Sequence, residues 1–185
     1  AVPANEINQI VTYSISPASV SFANVVINNN SGEIKITSVP NASGTQRFTV
    51  TANDGQSVNN IYSQTFRLTV NAVNNAPVFT LSGDVNVNED FTTTEKVTVI
   101  AGFIPADEMA QTVNYTLSPP SVSFANVSIN NLTGEVSITS VADAFGSQIF
   151  TVTADDGQAV NNLYSQTFTL TVNAENDAPT LDPIV

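Results

Sequence analysis

The sequence predicts an all-β chain: two tandem Greek-key β-sandwich domains, the first lacking its N-terminal strands. Three observations carry this reading. Residues 9–77 recur as residues 111–179 without a gap, and 48 of the 69 aligned positions are identical. A fixed period marks an array of folding units, and here the offset is domain-sized, 102 positions. Apolar residues alternate with polar ones in short runs, the pattern of half-buried strands. Turn-forming Asn, Asp, Ser and Gly clusters punctuate those runs at the spacing of a sandwich.

In chain order, the first copy offers alternating runs at residues 11–15, 33–37, 47–51 and 65–70. The second copy echoes them at residues 113–117, 135–139, 150–153 and 167–172. A further run, residues 96–100, belongs to the second copy alone. Val, Ile, Thr, Phe and Tyr dominate, as suits pleated surfaces. Turns are expected at Asn30-Ser31-Gly32, Asn53-Asp54-Gly55, Thr133-Gly134 and Asp155-Asp156-Gly157. Only residues 107–112 pass for a helical turn. The domain boundaries follow the repeat: residues 1–76, residues 77–178, and residues 179–185 as the opening of a further repeat or an exchanged strand.

The copies differ in completeness. Residues 76–102 have no counterpart in the first copy, and they supply the first two strands of the second. Two explanations stay open on sequence grounds. Either the chain is out of phase with a longer array, or an open groove in the first copy accepts a strand from a neighbour, with residues 180–185 as a short donor.

Composition bounds the chemistry. The chain carries 4 Lys+Arg against 16 Asp+Glu, a formal net charge of -12. Such a surface is repelled by nucleic acid and by anionic lipid. Up to Ala76 the acids Glu6, Glu33 and Asp54 balance Lys35, Arg47 and Arg67. Beyond it Lys96 is the only base among 13 acids, so the whole net charge sits from Pro77 onward. There is no cysteine, hence no disulfide or thiolate metal site. A unit of about 100 residues buries enough surface to fold without such staples. No run reaches the roughly 18 apolar residues of a membrane helix.

Four strings, in order, resemble the signatures of cadherin-like domains. Val87-Asn88-Glu89 is similar to the V-x-E near the domain start, and Thr133-Gly134-Glu135-Val136 to the T-G-x-I strand. Ala154-Asp155-Asp156-Gly157 is similar to the A-x-D-x-G run, and Asn173-Ala174-Glu175-Asn176-Asp177-Ala178-Pro179 to the D-x-N-D-N-A-P linker. The resemblance implies an Ig-like sandwich and Ca2+ at the junctions, where six to eight hard oxygens are needed. Carried over residue by residue, it points to Asp107, Glu108 and Asp156 at the junction between the copies. Beyond the second copy it points to Glu89, Asp143, Glu175 and Asp177. The linker Asn71-Ala72-Val73-Asn74-Asn75 has lost the carboxylates of the pattern, and the D-R-E string is absent from both copies. The bland reading of the same acids is that they solvate loop ends and cap turns.

Catalysis has little to stand on. The chain lacks histidine, cysteine and tryptophan, and it holds no glycine-rich phosphate loop. Adjacent acids on a strand point to opposite faces and make no dyad. The expected function is a non-enzymatic structural or adhesive repeat of a secreted, cell-surface protein, a reading that follows from the resemblance. Its expected partners are neighbouring repeats or head-to-tail copies of itself, with neither nucleic acid nor membrane insertion. The alternative is a glycan-binding accessory module. The tyrosines and most phenylalanines recur in both copies and read as core or corner residues, which leaves Phe79, Phe91, Phe103 and Phe145 as candidate platforms.

Overall fold

The computed structural model describes residues 9–179, which form strands and turns and no helix. These residues fall into two compact units, residues 9–73 with Pro105–Asp107, and Asn74–Ile104 with residues 108–179. The tail considered as a strand donor, residues 180–185, lies outside the described residues.

The first unit holds β1 (Thr12–Ser16), β2 (Ala23–Ile27), β3 (Ile34–Ser38), β4 (Gly44–Asn53) and β5 (Ile61–Val70). β1, β4 and β5 form one sheet in that order, and β2 pairs with β3 in the other. Phe48, fully buried, stacks on Phe66 with ring centroids 5.3 Å apart. Phe22, Ala23 and Val25 complete the buried cluster.

The second unit holds β6 (Phe79–Leu81), β7 (Val85–Asn88), β8 (Glu95–Val97), β9 (Val99–Ala101), β10 (Asn114–Ser118), β11 (Ala125–Ile129), β12 (Val136–Ser140), β13 (Gly146–Asp155) and β14 (Leu163–Asn173). One sheet runs β10-β13-β14-β7, with β7 parallel to β14. The facing strands run β11-β12-β8, continued by the pair β6-β9. Between the sheets lie Phe79, Val97, Val136, Ile138, Phe150, Phe168 and Leu170, each at most 2% exposed. Period-two alternation is visible along β13 and β14, where every second residue from Phe150 and Phe168 is buried.

Three details differ from the sequence reading. The single run expected at residues 96–100 is two strands. At Thr98 the chain leaves β12 and turns to β6, and Ser82 and Thr98 exchange bonds of 3.0 Å at that step. β2 and β11 are strands that the sequence reading did not include: in β2 Val26, 63% exposed, sits on the outer face and breaks the alternation, whereas in β11 Ser128 holds that place and the alternation is intact. Residues 106–110 are turn rather than helix, closed by Gln111 N donating to Glu108 O at 2.9 Å.

The β2–β3 and β11–β12 turns are built alike. Asn28 Oδ1 accepts from Asn30 N and Ser31 N, and Asn130 Oδ1 accepts from Leu132 N and Thr133 N. Each turn ends on a left-handed glycine, Gly32 at φ 73° and Gly134 at φ 72°. A Cβ at Gly134 would stand 2.5 Å from Val99 Cγ2, whereas at Gly32 the nearest atoms are those of Tyr13, at 3.1 Å. Alanine at either site is expected to cost about 1–2 kcal/mol through backbone strain. Gly134→Ala is expected to cost about 1–3 kcal/mol more through overpacking. Urea unfolding of the two variants checks this, and equal losses would contradict it.

Candidate metal centre

Every junction residue in the second unit is placed by a strand end or a tight turn. Glu89 and Asp90 follow β7, Asp143 lies between β12 and β13, and Glu175 and Asp177 follow β14. The parallel register of β7 on β14 sets Asn88 opposite Asn173. Glu89 N then donates to Asn173 O at 2.8 Å, and Glu175 N donates to Glu89 Oε1 at 2.6 Å. Asp143 N donates to Asp90 Oδ1 at 3.2 Å. Asp90 and Asp143 both adopt left-handed backbone, φ 59° and 55°. Aspartate tolerates that region better than most side chains, and such residues cluster at binding sites.

The result is a carboxylate group. Oxygens of Asp90, Asp143 and Asp177 all lie within 4.8 Å of one another, and among the described residues no other set of three His, Cys, Asp or Glu meets that condition. All three are exposed, while Glu89 beside them is 6% exposed. Partial desolvation raises the Asp177 carboxyl above the ordinary range, reinforced by repulsion from Asp143, Asp90, Glu89 and Glu175. Among the described residues no basic side chain forms an ion pair with these five acids. The one base after Pro77, Lys96, pairs with Glu135 at 2.8 Å. Charge balance therefore has to come from solution. The donor set is hard oxygen throughout, which suits Ca2+ or Mg2+ and not a soft transition metal.

Of the residues the sequence proposed here, the structure brings Asp143 and Asp177 together and sets Glu89 and Glu175 next to them. Asp90 was missed. The signal for it was present, an acid directly after Glu89, but the V-x-E string ends one residue short.

The other proposed set is arranged differently. Asp107 belongs with the first unit, where its Oδ2 accepts from Ser43 Oγ at 3.2 Å. Glu108 and Asp156 lie in the second unit, 8% and 5% exposed. Their oxygens are held by N–H donors. Asn75 N donates to Glu108 Oε1 at 2.6 Å, and Asn74 Nδ2 donates to Asp156 Oδ2 at 2.9 Å. The same Asn74 amide reaches the carbonyls of Val160 and Asn161 at 3.1 Å, and its Oδ1 accepts from Gln111 Nε2 at 2.8 Å. A neutral NH2 group thus gathers a carboxylate and two carbonyl oxygens. Asp156 Oδ1 also caps its own turn through Gln158 N at 3.0 Å, as Asp54 does through Gln56 N.

The glycan candidates divide by burial. Phe79 is core and Phe91 packs against it, whereas Phe103 and Phe145 are 72% and 62% exposed.

No family model matches the chain, and no curated protein matches it. Solved structures do. Domains 3–6 of protocadherin gamma B2 match 94% of the chain at 20% identity, TM-score 0.51. Domains 1–4 of Drosophila N-cadherin match 92% at 18% identity, TM-score 0.50. Domains 22–24 of mouse cadherin-23 match 94% at 20% identity, TM-score 0.48. The chain spans 46%, 42% and 56% of those three structures. The fold is a cadherin-like β-sandwich.

Proposed function

We propose that the chain is a repeat module of an extracellular structural or adhesive protein, and that the end of its second repeat binds Ca2+. The repeat boundaries proposed are residues 1–76, residues 77–178, and residues 179–185 as the start of a further repeat or an exchanged strand. The observation that supports the reading is the Asp90–Asp143–Asp177 group, with Glu89 and Glu175 beside it and no basic partner. Bound there, Ca2+ would neutralise the repulsion and tie the ends of β7 and β14 and the loop before β13 into one body. Glu89 would orient the linker through Glu175 N, and the left-handed turns at Asp90 and Asp143 would present their carboxylates. Ligands from the following segment would complete the shell and stiffen the array into a rod or filament, with neighbouring repeats or head-to-tail copies as partners. None of these steps requires catalysis.

Differential scanning calorimetry tests the ion. At a calcium concentration 100 times the Kd, stability should rise by about 2.7 kcal/mol. That amounts to roughly 10–20 °C for a unit of this size. Equal melting temperatures in EDTA and in millimolar calcium would sink the proposal. Electron microscopy with and without calcium tests the rod.

The glycan-binding alternative retains one supporting observation, the exposure of Phe145 between β12 and β13. A glycan array repeated with Phe145→Ala is its test.

A further inference from the structure

Arg47 of β4 stands opposite Arg67 of β5 in the antiparallel register, and both residues are exposed. They are the chain's only arginines and half of its 4 bases, against a net charge of -12. Among the described residues neither takes part in an ion pair; the one such pair joins Lys96 to Glu135 at 2.8 Å. Like charges directly opposite each other on a ladder are destabilising. The second unit carries Ile149 opposite Thr169 at the same places, so the sandwich does not require the arginines.

Neighbours along a strand point to opposite faces, and Phe48 and Phe66 take the inward side, which leaves Arg47 and Arg67 pointing out. From Thr45 to Thr51 and from Ser63 to Thr69, every outward residue is Thr, Ser or Arg. Thr45 faces Thr69 on one side of the pair, their hydroxyls 3.2 Å apart, and Thr49 faces Thr65 on the other. A hollow of about 390 Å³ is lined by Thr45, Gln46, Arg47 and Arg67. Three of those residues are consecutive in β4, which β1 and β5 flank, so the hollow lies over an inner strand. The same place is open in the second unit, where β7 flanks β14 and Ile149 is 60% exposed.

We propose that the Arg47–Arg67 pair is a binding site for the oxyanion of an acidic oligosaccharide, a carboxylate or a sulfate ester. The guanidinium fork matches either group with two parallel hydrogen bonds. Bound between the arginines, the anion removes the repulsion that the bare ladder carries. The threonine hydroxyls on both sides donate and accept, which suits the hydroxyls of the flanking sugar units. Charge and composition favour this occupant. A strongly acidic chain repels polyanions of high charge density, whereas two adjacent arginines take one isolated oxyanion. A protein partner would need an apolar centre to its interface, and this face offers hydroxyls instead. The site is separate from the carboxylate group and from Phe145, and it needs no calcium.

The test is NMR of the whole isotope-labelled chain in EDTA, which keeps it independent of the proposed ion. Arginine NεH signals are followed during titration with trigalacturonate, with a sulfated trisaccharide and with neutral maltotriose. Every such signal belongs to the site, because the chain has no other arginine. Saturable shifts are expected with the acidic sugars and none with maltotriose, and the preferred acidic sugar identifies the oxyanion. Arg47→Ile with Arg67→Thr, the pair carried by the second unit, should weaken binding roughly tenfold or more in calorimetry. Arg47→Gln, which adds no apolar surface, should weaken it in the same direction. Phe145→Ala should leave it unchanged. Absence of saturable binding would overturn the proposal. So would equal binding of maltotriose, inorganic sulfate that binds as tightly as the oligosaccharides, or affinity unchanged in both arginine variants. An oligoaspartate peptide that binds more tightly than either acidic sugar would overturn it in favour of a protein ligand.

Discussion

Phe79→Ala is expected to lower the stability of the second unit by about 3–5 kcal/mol, the range for truncating a fully buried phenylalanine. The ring is 2% exposed and wedged edge-to-face between Tyr115 and Tyr164. Such pairs add about 0.5–1.5 kcal/mol beyond burial itself. Alanine would also leave β6 with little to anchor it, because this strand has three residues and pairs only with β9. Urea unfolding followed by tyrosine fluorescence reads the effect directly, since both flanking tyrosines report the environment of the ring. Phe79→Leu should retain most of the stability, because it keeps the apolar volume and loses only the aromatic edge. A loss below about 1 kcal/mol for alanine would mean that the pocket collapses without strain, contrary to the close packing of such cores.

The second large effect changes sign with the ion. In EDTA, Asp177→Asn should raise the melting temperature, because it removes a carboxylate whose neighbours Asp143, Asp90, Glu89 and Glu175 repel it. In calcium the same variant should melt below the parent, and its affinity should drop roughly tenfold or more, since ligand charge sets Ca2+ affinity. Asp143→Asn should behave alike. The pH dependence follows from the direction of the shift. The folded Asp177 carboxyl holds its proton more tightly than the unfolded chain does. Its contribution to metal-free stability is therefore fully present below the ordinary carboxylate pKa, and it is lost as the pH rises through the raised folded value. Calcium should abolish that loss. A variant that melts below the parent in both EDTA and calcium would show that Asp177 serves the fold and not an ion.

Most strands were legible because the alternation of Val, Ile, Thr and Phe in β4, β5, β13 and β14 follows directly from which face is buried. Strands that change partner were not. Thr98 looks like any strand threonine, and nothing local says that the ladder passes from β12 to β6 at that residue. The candidate site was partly legible for a similar reason. Asp143 and Asp177 stand out by differing from Asn41 and Asn75 in the other copy, whereas Asp90 has no counterpart to be compared with. The use of Asn74 was invisible in sequence, because an amide that bridges a carboxylate and two carbonyls leaves no motif.

Asn41 and Asp143 share one backbone conformation, φ 54° and φ 55°. Their side chains have nearly the same shape and differ by an NH2 for an oxygen. A single such exchange changes the charge offered at the loop before β4 or β13 while leaving its geometry alone. On the function proposed above, ion response and folding would be encoded at separable positions, and an array of such repeats would grade its joints from salt-sensitive to salt-indifferent by point changes at one loop residue.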